Sequence, residues 1–173
     1  MGASAWVSRI AYQPDIAAAL QAARWEAFRG GHYYHSPDEL PEARTMTEDE
    51  FVAWMVEEYG PNADGAETRL AWRAARTGPD SPDALAVSQP YSGTHSVIDM
   101  TRVGDTPDMF TVAPPSGEVL DDLFATRTPS TDAVATAAAD GRLDLYGRWH
   151  GTYVVGYRGG EPEAIFFVGH SGD

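Results

Sequence analysis

Gly151-Thr152-Tyr153-Val154-Val155-Gly156-Tyr157 runs into Arg158-Gly159-Gly160-Glu161-Pro162, and Glu163-Ala164-Ile165-Phe166-Phe167-Val168 returns from it. Two β-rich runs around Gly-Gly signal a hairpin, because the tight turns that join antiparallel strands need positive φ, which glycine adopts without strain. Pro162 lacks an N–H for the ladder, so the second strand is expected to begin just after it. Alternation puts Tyr153, Val155 and Tyr157 on one face and Val154 on the other. On the return, Ile165 and Phe167 oppose Phe166 and Val168. Both faces are apolar, so both need cover. Ile-Phe-Phe-Val at a sheet edge would invite pairing with other chains. The hairpin is therefore expected at the centre of the fold, with helices on one face and loops or a partner on the other.

Outward from the hairpin, a weaker strand is expected over 143–149 and a firmer one over 5–12. Pro14-Asp15 opens a helix whose Ile16, Leu20, Ala23, Ala27 and Phe28 recur at helical spacing until Gly30-Gly31 stops it. Residues 32–46 read as irregular. Thr47 and Glu50 form a capping box, each side chain bonding the other's backbone N–H. Phe51, Trp54, Met55 and Tyr59 then share a face up to Gly60-Pro61. Asp64 and Glu67 repeat the capping spacing before a third helix through Leu70, Ala71, Ala74 and Ala75. Residues 78–94, with Pro79, Pro82, Pro90 and Gly93, read as a long loop. Ser96–Val103 reads as a strand. Ser116 caps a fourth helix with Val119, Leu120, Leu123 and Phe124. Thr128-Pro129 opens a fifth, with Pro at its first position, closed by Gly141.

Strands at both ends and near the middle, with helices grouped between them, predict an α+β fold. The sheet is antiparallel or mixed, built from the N-terminal strand, a central strand near 96–103 and the hairpin at 151–168. About five helices pack mainly on one face. The length of 173 residues suits one domain spanning 1–173.

The formal net charge is −14, from 12 basic and 26 acidic residues. Every basic residue is Arg, which excludes Schiff-base lysine chemistry and a lysine phosphate loop. The charge disfavours nucleic acid and anionic membranes and attracts basic partners. No Cys is present, so disulfides, thiolate nucleophiles and cysteine metal sites are excluded. The opening Met1-Gly2-Ala3-Ser4-Ala5-Trp6 has no basic region ahead of a long apolar run, and no signal peptide is expected. A cytoplasmic location follows as the expectation.

Candidate site residues are few. Tyr33, Tyr34 and His35 stand together in an irregular segment, where amphipathic rings suit a pocket wall or an interface. His32 and His35 are three apart, but Gly30-Gly31 removes the helical turn that would let them share a metal, so no metal and no cofactor are expected. Asp99, set between Ile98 and Met100, is a carboxylate on either the solvated face of a strand or a functional one. Trp149-His150 offers an aromatic wall and a proton carrier. Gly169-His170-Ser171-Gly172-Asp173 has part of a nucleophile elbow but lacks the final Gly and the helix that the elbow needs. It is expected to be a frayed tail.

Two functional readings follow. The first is an acidic cytoplasmic protein-binding module of inhibitor, immunity or adaptor type, docking a protein partner through exposed aromatics. The second is a small-molecule binder or small enzyme with a His/Tyr-lined pocket. A deep aromatic pocket in which His35 and His150 converge would favour the second; a flat acidic face would favour the first.

Overall fold

The structure, a computed structural model, describes residues 4–172. The readings of Met1-Gly2-Ala3 and of Asp173 lie outside the described residues.

The fold is α+β, with one mixed five-stranded sheet and seven α-helices among the described residues. The strands are β1 (Ala5–Ala11), β2 (Arg102–Val103), β3 (Thr111–Ala113), β4 (His150–Arg158) and β5 (Glu161–His170), ordered β1-β5-β4-β3-β2. β1 and β5 are antiparallel, as are β5 and β4, whereas β4, β3 and β2 run parallel. The hairpin β4–β5 is thus central, with β1 on one side and β3 on the other. Its turn is Gly159-Gly160, both at positive φ, where a side chain would be strained. The second strand begins at Glu161 and includes Pro162, where the ladder is already irregular after the shift at Gly156/Tyr157.

The helices are α1 (Ile16–Gly30), α2 (Pro41–Thr45), α3 (Glu48–Tyr59), α4 (Ala66–Thr77), α5 (Pro82–Ser88), α6 (Gly117–Phe124) and α7 (Thr131–Ala139). On one face of the sheet, Trp6, Leu20, Leu85, Ile98, Met100, Ile165 and Phe167 form a buried cluster under α1 and α5. On the other, Val154, Phe166 and Val168 pack against Val134 and Ala137 of α7, with Leu120 and Leu123 of α6 beside them. The second face is therefore covered by helices, not by loops or a partner. Leu40, Phe51 and Ala71 form a third cluster that holds α2, α3 and α4 together, joined to the rest through α5. Arg24 of α1 is buried, its Nε donating to the Ile98 carbonyl at 3.1 Å and its Nη2 lying 2.7 Å from Asp83 of α5. Among the described residues, no helix is long and apolar enough to cross a membrane.

Local chemistry sets most boundaries. Asp15 caps α1, accepting from Ala18 N at 3.0 Å, and Thr47 with Glu50 forms both halves of the capping box of α3. Elsewhere the structure departs from the sequence reading. The 32–46 segment contains α2. Gly65, not Asp64, precedes α4, and no side chain caps it. The 78–94 loop contains α5, because Ser81 caps Ala84 N and Pro82 sits where its missing N–H is not needed. The 96–103 strand is only Arg102–Val103: Ser96 accepts from Ile98 N and winds Val97–Asp99 into a 3-10 turn. β3 replaces part of a presumed connector. Ser130 rather than Thr128 caps α7, and the Pro129 carbonyl accepts from Tyr157 N. Residues 143–149 form turns, not a strand.

The expected frayed tail is also corrected. β5 continues to His170, and Ser171 is fully buried, its N–H donating to the Ser4 carbonyl at 3.0 Å.

Candidate functional site

The parallel strands β2, β3 and β4 all begin at one end of the sheet. The residues just before them, Thr101, Phe110 and Trp149, meet there. The unit built from α3, α4 and α5 leans over this end and leaves a cleft of about 480 Å³ between itself and the strand starts. Met55, Ala71, Val87 and Pro90 line the helical wall, and Phe110 and Trp149 line the sheet wall. Its polar groups are Glu67, Asp99, Arg102 and a few uncharged side chains. An apolar concavity with a few polar groups is the usual form of a binding site.

Backbone geometry at the sheet wall is unusual. Phe110 and Trp149 both have positive φ, +58° and +62°, as does His95 nearby in sequence to Asp99, at +52°. Bulky residues avoid this region unless the surroundings hold them there. Here Phe110 N–H donates to the Trp149 carbonyl at 2.6 Å, and Trp149 N–H donates to the His170 carbonyl at 3.0 Å. The Trp149 indole is also wedged between two glycines. A Cβ on Gly93 would come within 3.0 Å of the ring, and one on Gly172 within 1.7 Å. The aromatic wall is therefore rigid before any ligand arrives.

Asp99 lies at the base of the cleft and is only 3 % exposed, not on a solvated strand face. It accepts from Thr94 N at 2.8 Å and from the Ser171 hydroxyl at 2.5 Å. Burial pushes its carboxyl above the ordinary aspartate range, against the opposing pull of the Ser171 and Thr94 hydrogen bonds and of His95. Ser171 has no solvent contact, so this pair joins segments and is not an exposed nucleophile.

The sequence candidates separate. Asp99 and Trp149 share the cleft. Tyr33 stacks on Phe28 at 5.7 Å, and Tyr34 stacks on His95 at 4.5 Å. His35 lines a smaller cleft with Leu40, Arg44 and Gln89. His150 turns to its own loop, Nδ1 lying 2.6 Å from the Arg148 carbonyl. His35 and His150 do not converge. Among the described residues, no three His, Asp or Glu side chains are grouped as metal ligands.

Sequence reasoning passed over Met55, Glu67 and Phe110. Met55 shares a face of α3 with Phe51 and packs on the third cluster, and the cleft cuts this same face. Exposed aromatics stand close in sequence to the lining residues. Tyr59, one turn beyond Met55, is 58 % exposed, and Tyr91, next to Pro90, is 56 % exposed. Their hydroxyls are 3.1 Å apart. This contact is the largest cause raising the Tyr91 phenol to about 12, with burial and the Glu42 and Glu39 charges adding to it. Phe110 of the sheet wall is itself exposed, as is its neighbour Met109. No protein-family model, curated protein or solved structure matches the chain.

Proposed function

We propose that the protein is an acidic protein-binding module whose cleft receives an apolar side chain from a basic partner. The observation that carries this reading is the 480 Å³ apolar cleft lined by Met55, Pro90 and the exposed Phe110, with exposed Tyr59 one helical turn beyond Met55 and exposed Tyr91 and Met109 next in sequence to Pro90 and Phe110. Aromatic anchors around a preformed concavity are the usual energetic centre of a protein interface. The charge of −14 selects the partner's sign, since it draws basic surfaces in at long range and repels acidic ones, nucleic acid included. Glu39 and Glu42 near Tyr91, and Glu67 in the cleft, place negative charge beside the anchor site. Arg102 is held by Asp108 at 3.6 Å, which offsets its charge there. A cytoplasmic inhibitor, immunity protein or adaptor would have this character.

The enzyme reading has less support, because the candidate proton carriers His35, Asp99 and His150 do not meet one another. Asp99 is enclosed by donors, and His150 is engaged by its own loop.

The test is affinity purification from the native host with the wild-type protein and with Met55→Arg, which puts a cation at the cleft wall. The expected result is a set of basic proteins retained by the wild type and lost by the variant, with thermal stability preserved. Identical recovery by both proteins contradicts the reading.

A further inference from the structure

β1 is an edge strand, and its free side is read from its register. Tyr12 N–H donates to the Glu163 carbonyl and Ser171 N–H to the Ser4 carbonyl, so even-numbered residues turn their backbone toward β5. Ala5, Val7, Arg9 and Ala11 therefore turn theirs outward. The strand is seven residues long, and no bulge interrupts its register and no proline its sequence. Natural edges are usually blunted by such features.

A groove runs between this edge and α1. At one end Trp6, Ser8, Glu26, His32, Ser96 and Val97 line a cleft of about 230 Å³ of mainly polar character. At the other, Ile10, Ala22, Trp25 and Arg29 line a shallower, apolar one of about 610 Å³. Both share Glu26 and His32, so they adjoin. Trp6 supplies an independent observation. It is only 6 % exposed, and among the described residues its indole Nε1–H has no hydrogen-bond acceptor. Buried donors are nearly always satisfied, and an unsatisfied one calls for a specific reason.

We propose that β1 binds an extended segment of another protein, which adds to the sheet as a sixth strand. Its backbone bonds the outward groups of Val7 and Arg9. One side chain carries an uncharged acceptor (a carboxamide) into the polar cleft for Trp6 Nε1, since Glu26 on the cleft wall and the charge of −14 disfavour a carboxylate. The residue two positions along is apolar and lies on Ile10 and Trp25. Alternate side chains of an added strand fall on one face about 7 Å apart, which suits adjoining clefts. A second copy of this chain is not the occupant. Its own β1 side chains on this face, Trp6 and Ile10, are engaged in its own core, and two chains of −14 repel. This surface is separate from the Trp149 cleft, and neither reading depends on the other.

The test selects a phage-displayed library of random octapeptides on the wild-type protein and measures the enriched peptides as synthetic ligands. Enrichment of an acceptor residue two positions from an apolar one is expected. Hydrogen exchange of the complex should slow at the Val7 and Arg9 amides. Val7→Pro removes an outward N–H that β5 does not use, and should weaken binding roughly tenfold or more. Trp6→Phe keeps the ring buried and deletes the donor. It should weaken peptides bearing the acceptor and leave unchanged those with Ala at that position. The proposal is overturned if no pattern is enriched, if bound peptide leaves the Val7 and Arg9 amides unprotected, or if sedimentation shows the protein self-associating through β1. If Val7→Pro does not fold, the exchange pattern of the wild type decides.

Discussion

The Ser171 hydroxyl donates to Asp99 Oδ2 at 2.5 Å, across 72 residues of chain, inside a site where both side chains are buried. The bond ties the end of β5 to the loop that carries Gly93 and Thr94, and the Trp149 ring is clamped between these two segments. The rigid wall of the cleft thus depends on one carboxylate. Ser171→Ala should cost about 1–3 kcal/mol, because it leaves a buried acceptor short of a donor. Urea unfolding measures this. Unchanged stability would show that the junction is held by packing alone.

The same carboxylate gives a pH dependence with a defined sign. Asp99 is raised above its ordinary 3.8, so between that value and its folded pKa the folded state holds more protons than the unfolded one. Its contribution to stability therefore declines as pH rises through this window and is constant above it. Glu50 and Glu163 are lowered by Thr47 and Arg158, so their contributions are lost as pH falls. Comparison with Asp99→Asn cancels these background groups. The stability of the variant relative to wild type should increase with pH from about 4 upward and then level off. A flat difference would contradict the burial of Asp99.

Phe166 and Phe167 test the central hairpin from its two faces. Phe167 is fully buried under α1, and Phe166 is buried against α7. Each change to Ala should cost about 3–5 kcal/mol. A loss at Phe167 alone would mean that the α7 face is not closely packed. Gly156→Ala probes that face from the backbone, since a Cβ would meet Thr131 Cα at 2.8 Å. It should destabilise as well, by denaturant titration.

Tyr91 should titrate near pH 12, and Tyr59→Phe, which removes the largest cause of the shift, should bring it back toward 10. Carbon-13 NMR of the tyrosine Cζ resonances follows each ring. A normal titration in the wild type would show that the two hydroxyls are apart in solution.

Much of the fold was legible where one local pattern dominates. The hairpin was readable because Gly159-Gly160 stands between two β-rich runs and both faces are apolar. The capping box of α3 was readable because Thr47 and Glu50 act on each other directly. The misreadings fall where two local signals compete. Pro82, among three other turn-forming residues, signals a loop, although behind Ser81 it starts α5. Ser-Val-Ile-Asp alternates like a strand, but the Ser96 hydroxyl captures Ile98 N–H and winds a turn. β3 is three residues long, too short for periodicity to register. Of the site, Asp99 and Trp149 were singled out by residue type. Met55, Glu67 and Phe110 were not, because the cleft forms only when α3–α5 pack over strand ends distant in sequence, and no local spacing encodes that contact.

The measurement that bears most directly on the proposed function is the affinity of the protein for the peptides Gly-Arg-Arg-Xaa-Arg-Arg-Gly, with Xaa either Ala or Phe, by isothermal titration calorimetry. If the cleft accepts an apolar anchor from a basic partner, the Phe peptide binds about tenfold tighter or more, as burial of one such side chain requires. Added salt weakens both peptides, and Met55→Arg abolishes the preference for Phe. Equal affinity for the two peptides, or a preference for Phe that survives Met55→Arg, would contradict the account.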